Sequence, residues 1–127
     1  MTSRVTYLAD IQVVETVYDG DLPPAALAAL VKETIEKASE FQAAKFLADC
    51  RSMKMGHSVF DLYYLASLVE SSVLNRSEFR EAVLYPTDLL AGENVRFWET
   101  TALNRGLTVK IFTDRETSLQ WLAGEKG

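Results

Sequence analysis

The chain has 127 residues, 48% of them hydrophobic and 24% charged, enough for one globular core and a single domain spanning residues 1–127. Its formal charge of −5 opposes the phosphate backbone of nucleic acids, where lysine and arginine supply most of the affinity, and the basic residues are scattered, so no nucleic-acid partner is expected. No run of about 18 apolar residues is present, so no transmembrane segment is expected.

Residues Met1 to Val5 lack the charged-then-apolar build of a signal peptide. Cys50 is the only cysteine. An internal disulfide is therefore impossible, and a reducing cytoplasm is the simplest location. Its place at the end of an apolar run suggests a buried thiol acting as a small hydrophobe.

Arg4 to Ala9 and Ile11 to Tyr18 are extended stretches rich in β-branched and aromatic residues, and the short break at Asp10 leaves room for a hairpin. In the second stretch Ile11, Val13 and Glu15 share one face; Val14, Thr16 and Tyr18 share the other. Asp19 to Pro24 stops the strand and starts a helix, with Gly20 in the turn and proline at the first helical positions. The helix from about Pro24 to Glu40 puts Leu27, Leu30, Val31, Ile35 and Ala38 on one face, while Glu33 and Lys37 pair on the other.

The chain is organised around Lys45 to Val73, a buried strand feeding a helix through a Met-rich loop. Phe46, Leu47 and Ala48 are apolar without alternation, as in a strand covered on both faces. After a helix, such a strand lies parallel to its predecessor. Arg80 to Tyr85, closed by Pro86, and Leu107 to Phe112 repeat the pattern. A helix of about Gly92 to Asn104 directs Val95, Trp98, Ala102 and Leu103 inward and ends at Gly106 in a left-handed cap. Asp114 caps the last helix, with Glu116 in its first turn, and Leu119 and Leu122 dock it. The order β-β-α-β-α-β-α-β-α defines one α/β domain.

The segment Leu107 to Leu122, a strand ending in Phe112-Thr113-Asp114 and a helix ending in Trp121-Leu122, resembles the close of the SpoIIAA-like family, related to STAS and CRAL-TRIO-type domains. Leu47-Ala48-Asp49 resembles that family's central strand. The resemblance implies a β-α superhelical sandwich of about five mostly parallel strands, an N-terminal antiparallel strand and four helices. It also implies a non-enzymatic protein that needs no cofactor and acts by docking partners. In sporulation regulators of this family a serine at the start of the second helix is phosphorylated within an Asp-Ser-Ser-Gly pattern. The matching position is Ser58, but its neighbours are His57, Val59 and Phe60, so the serine is present without its motif.

Read from the residues alone, Ser58 is a helix cap answered by Asp61 three positions on. A phosphate there would still suit a helix N-terminus. His57 is the only histidine, and it follows the carboxyl end of the central strand, where open α/β sheets bind ligands, beside Asp49, Arg51 and the Asp88 loop. A Ser58-His57-Asp49 or Asp88 triad is disfavoured, because sequence neighbours rarely aim at each other and no nucleophile elbow is present. One histidine and one cysteine show no metal-ligand spacing, so no metal is expected.

The helix from Ser58 carries more apolar surface than one stripe needs. Leu62, Leu65, Ala66, Val69 and Val73 supply the core, and Phe60, Tyr63, Tyr64 and Leu68 spread around it. Met53 and Met55 add adaptable contacts, and Phe97 beside Trp98 offers a second aromatic pair. These residues suit either a wider buried arc or a working surface. Two functional readings follow. One is a STAS-like interaction module, expected to be a homodimer using the helix from Ser58 against an unknown protein partner. The other is a domain for a small lipid or hydrophobic ligand, with a pocket under the Met53-to-His57 loop lined by Phe60, Tyr64 and Phe97.

Overall fold

A computed structural model describes residues 3–54, 59–72 and 76–124. Strand β1 (Arg4–Leu8) pairs antiparallel with β2 (Val13–Val17), Tyr7 opposite Val14. The second strand starts two residues later than the sequence suggests, because Ile11 and Gln12 belong to the connecting turn, where Gln12 takes a left-handed backbone at φ 57°. Ile11 nevertheless packs with Val13, on the face expected of it.

The two-residue strand β3 (Gly20–Asp21) follows, with Gly20 at φ 76°. Helix α1 (Pro24–Phe41) then begins with proline in its first turn, where the missing N–H costs nothing. It ends at Gln42, left-handed at φ 52°, whose backbone N–H returns to the Ala38 and Ser39 carbonyls. Strand β4 (Lys45–Asp49) lies parallel to β2, and the two-residue β5 (Met53–Lys54) pairs with β3. The β3–β5 pair is too short to leave a period-two pattern, and nothing in the sequence marks it.

Helix α2 spans Val59–Ser72, and a 3-10 turn at Arg76–Glu78 leads into β6 (Arg80–Leu84). Helix α3 (Leu89–Asn104) starts three residues earlier than expected. Its cap is Asp88, whose carboxylate accepts from the Ala91 N–H at 3.0 Å. Gly92 therefore lies inside the helix, where a Cβ would sit 2.6 Å from the Tyr85 hydroxyl. Gly106, at φ 82°, turns the chain out of α3 as expected. Strand β7 (Thr108–Phe112) and helix α4 (Arg115–Leu122) complete the fold, and Asp114 caps α4 by accepting from the Thr117 N–H at 2.8 Å.

The main sheet has five strands in the order β1-β2-β4-β6-β7, parallel except for β1. Helix α1 packs on β1 and β2, α3 packs on β7, and α2 rests chiefly on α1 and α3. Helix α4 covers the opposite face of β4, β6 and β7. Each face has its own core. Val13, Leu47, Ala82, Leu84 and Leu122 pack beneath α4, and Ala48, Val83, Leu65 and Val95 belong to the core under the other three helices. Among the described residues, no helix is long and apolar enough to cross a membrane.

One inward assignment on α3 is corrected. Leu103 is 51% exposed, whereas Val95, Thr101 and Ala102 are buried. The inward stripe ends on Ala102, and the next residue is turned about 100° away from it. Leu122→Ala, at a position with no exposure, is expected to cost about 2–5 kcal/mol of unfolding free energy. Leu103→Ala should stay within roughly 0.5 kcal/mol. Urea denaturation of the two variants checks the contrast, and equal losses would contradict this placement of α3.

Candidate functional site

Alternation along the parallel strands decides which side chains face the three-helix layer. From β4 and its end these are Phe46, Ala48 and Cys50; from β6 they are Glu81 and Val83. Several are small, and α2 rests on its neighbouring helices above them. The result is a cavity of about 620 Å³ between the sheet and helices α1, α2 and α3, a volume within the usual range of small-molecule sites.

The two ends of the cavity differ. Tyr18, Leu27, Cys50, Met53 and Leu62 are all buried and close the end near the carboxyl ends of the strands. Among the described lining residues the exposed ones are Ser39, Gln42, Ser72 and Glu78. They belong to the last turns of α1 and α2 and the approach to β6. The mouth therefore opens at the amino ends of the strands, opposite to where the sequence directs attention.

Glu81 is the charged group of the inner wall. It stands beside Phe46 of β4 and Val109 of β7 in the ladder, and the Trp98 indole N–H donates to its Oε1 at 2.8 Å. Among the described residues Trp98 is the one hydrogen-bond partner of this carboxylate. The accessible surface that Glu81 retains belongs to the cavity wall. Burial pushes its carboxyl up to about 7, against the lowering effect of the Trp98 hydrogen bond.

Two further titratable groups line the closed end. Burial pushes the Tyr18 hydroxyl far up, reinforced by the Glu81 charge, although hydrogen bonds with Thr34 and Thr16 work the other way. The two threonine hydroxyls lie 2.6 Å apart, and Thr34 Oγ1 donates to the Leu30 carbonyl at 2.7 Å. Burial, with Glu81 and Asp49 nearby, also pushes the Cys50 thiol far up. Both groups keep their protons at neutral pH, and a protonated thiol is a poor nucleophile.

The α4 side of the sheet carries satisfied ion pairs. Arg51 grips Asp49 through Nε to Oδ1 at 3.0 Å and Nη2 to Oδ2 at 2.9 Å. Burial acts to raise the Asp49 carboxyl, but the Arg51 hydrogen bonds and charge outweigh it and hold the group below its ordinary value. Arg115 of α4 binds Glu15 of β2 with two hydrogen bonds at 3.2 and 3.1 Å. Asp49 is thus engaged with Arg51, and Asp88 with the start of α3. Among the described residues, no group of three histidine, cysteine, aspartate or glutamate side chains could hold a metal ion.

Of the residues singled out from the sequence, Met53 is buried and lines the closed end of the cavity. Tyr64 is 53% exposed on α2, and Phe97 is half-buried on α3; neither is part of the cavity wall, contrary to the expected lining. Met55, His57 and Ser58 lie outside the described residues, as do the side chains of Phe60 and Tyr63. The residue that sequence reasoning missed is Glu81. Its signal was a carboxylate among the apolar residues of a strand flanked by helices, in phase with Val83. Compared with protein-family models, with curated proteins and with solved structures, the chain finds no match. The geometry itself defines an α/β domain with a mostly parallel sheet and a largely apolar cavity open at one end.

Because the folded state raises the Glu81 carboxyl, it favours the protonated form. The stability linked to this group is complete below its ordinary carboxyl range and is lost as pH rises through about 7. Glu81→Gln should therefore gain on the parent protein by roughly 3 kcal/mol between ~pH 4 and ~pH 8. Denaturant titrations of both proteins across that range check this. A difference that is flat with pH would place the carboxyl in bulk water.

Proposed function

We propose that the protein is a non-enzymatic binding domain of SpoIIAA-like (STAS-like) fold that houses a small, largely apolar molecule between its sheet and its three-helix layer. The observation that carries this reading is the cavity of about 620 Å³, walled by Leu27, Val31, Phe46, Leu65 and Val95 and open at one end. Apolar walls with a few convergent polar groups are the usual make-up of a ligand pocket. The protonated Cys50 and Tyr18 lend no activated nucleophile to the cavity, which favours binding over covalent chemistry. The antiparallel β1 at the sheet edge and the strictly progressive order of β2, β4, β6 and β7 support the fold assignment.

The test is saturable, one-to-one binding of the neutral fluorophore N-phenyl-1-naphthylamine. Ala48→Met, which extends a side chain from the centre of β4 into the cavity, should weaken that binding at least tenfold; about 1.4 kcal/mol of lost contact suffices. Its thermal unfolding should stay close to that of the parent, because the added atoms enter empty space. Failure of the parent protein to bind the fluorophore at all would reject the cavity as a binding site.

A second reading, a STAS-like docking module that forms a homodimer in the cytoplasm, draws on the exposure of Tyr64 midway along α2. Native mass spectrometry at micromolar concentration should then show a dimer that Tyr64→Glu dissociates. A monomer at every concentration tested would leave the ligand-binding reading alone.

A further inference from the structure

The cavity is apolar in shape and acidic in charge. Among its described lining residues the charged ones are Glu78, at the mouth, and Glu81, on the wall, and none is a lysine, arginine or histidine. A carboxylate accepts at two oxygens and has room for about four hydrogen bonds. Glu81 receives one, from Trp98 to Oε1. Its other oxygen has no protein donor among the described residues, in surroundings where an unpaired charge is costly.

The neighbours of Glu81 are aromatic. Phe46 stands opposite it on β4, and Phe79 lies two residues before it; the Phe46 and Phe79 rings are 5.2 Å apart at their centroids and tilted by 33°. Trp98 approaches from α3. Aromatic faces beside a carboxylate attract cations, and the attraction grows where water is excluded. A fatty acid, by contrast, would bring a second negative charge against Glu81 and past Glu78.

We infer that the ligand is an amphipathic primary amine, its ammonium donating to the free oxygen of Glu81 among Phe46, Phe79 and Trp98 and its hydrocarbon part filling the cavity. This rests on the proposed role of the cavity as a binding site and names the chemical class it takes. The hydrocarbon runs toward the closed end formed by Leu27, Met53 and Leu62, and the ammonium stays in the half nearer the mouth, where Glu78 adds attraction on entry.

The other groups around Glu81 leave it as the charge that answers to pH. Tyr18 from β2 and Cys50 after β4 keep their protons. Helix α1 presents Thr34, α2 presents Leu65 and Val69, α3 presents Trp98 and Asn94, and β7 places Val109 alongside; none of these is charged. Glu78 is exposed at the mouth. An ammonium ion binds the ionised form of Glu81, so occupancy rises with pH and binding displaces a proton from Glu81 where that group is protonated.

The experiment is displacement of N-phenyl-1-naphthylamine from the full chain by decylamine, decanol, decanoate and decyltrimethylammonium. The expected order is decylamine first, decyltrimethylammonium and decanol behind it, and decanoate last. Decylamine should bind roughly ten- to a hundredfold more weakly to Glu81→Gln, the loss of one hydrogen bond to a charged group. Decanol should bind the two proteins alike. In the parent protein, affinity for decylamine should fall about thirtyfold from ~pH 8.5 to ~pH 5.5 while that for decanol stays level.

Decanol matching decylamine, a flat pH profile for decylamine, or unchanged decylamine binding by Glu81→Gln would each overturn the inference while leaving the apolar site intact. Tighter binding of decyltrimethylammonium than of decylamine would also overturn it, because that ion cannot donate to Glu81. If the fluorophore itself does not bind, the site falls and the inference falls with it. The pH profile of the parent protein decides the matter even if Glu81→Gln folds poorly.

Discussion

The two-residue period of a parallel strand is the constraint on which the rest of this molecule depends. Strand β4 is covered on both faces, so every residue commits to one of two layers, and a one-residue slip would exchange them. Leu47 and Asp49 go to the α4 side, where Leu47 joins Leu84 and Leu122, none of them more than 1% exposed. Phe46, Ala48 and Cys50 go to the other side, where the wall is irregular: a ring, a methyl group and a thiol in sequence. The first layer packs tight against a single helix. The second is spanned by three helices, and its small side chains leave room beneath the middle one.

Helix α2 shows how that room is kept. A helix between two others can settle onto the strands below or rest on its flanking helices. Here its main partners are α1 and α3. Leu62, Leu65 and Val69 point inward and line the cavity, Leu65 and Val69 also packing in the core on that face. Protein interiors ordinarily reach the density of organic crystals, so wall atoms facing a void forgo dispersion contacts that packing would supply. A buried carboxylate on the same wall adds a second cost of the same sign. Both costs fall on one region, while the opposite core is dense, and that contrast within one sheet is what marks the region as a site.

Much of this was legible in the chain. The five strands of the main sheet, the proline start of α1, the Asp114 cap and the left-handed Gly106 all depend on neighbours a few residues away, and each stands within two residues of where local chemistry puts it. The faces of β2 were legible too: Thr16 and Tyr18 meet α1 through Thr34, while Glu15 meets Arg115 of α4. What local patterns could not carry was distance between helices. A strip of apolar residues on α2 reads the same over a packed core as over a cavity. Glu81 was hidden for a related reason. As one charged residue at the start of a strand it looks like an exposed end, and only the approach of Trp98, seventeen positions later, turns it into a buried acid. The exposed Leu103 is the converse case, an apolar residue beside the inward stripe that the period alone could not separate from it.

The position of the mouth changes how the scaffold is understood. Open parallel sheets usually hold ligands beyond the carboxyl ends of their strands, where loops diverge at a reversal of strand order. In this sheet β2, β4, β6 and β7 advance in one direction without a reversal, so that crevice does not form. The carboxyl end of β4 is instead tied by Arg51 to Asp49, and Arg115 at the start of α4 holds Glu15 of β2, pairs that consume the charges a ligand would need. The amino ends have the opposite character. There α1 closes on the left-handed Gln42, whose backbone N–H satisfies carbonyls of the final turn, and the chain reaches β4 through the small residues Ala43 and Ala44. Short, small-residue connections leave an opening that bulkier ones would fill. A ligand entering this way would travel along the strands toward Tyr18 and Met53, with the sheet as one wall and the underside of α2 as the other. Bound ligand would add contacts and a charge partner within the cavity, and stability would rise with occupancy by mass action. In this fold the small side chains of β4 and the Glu81 carboxylate together shape the wall that such a ligand would meet.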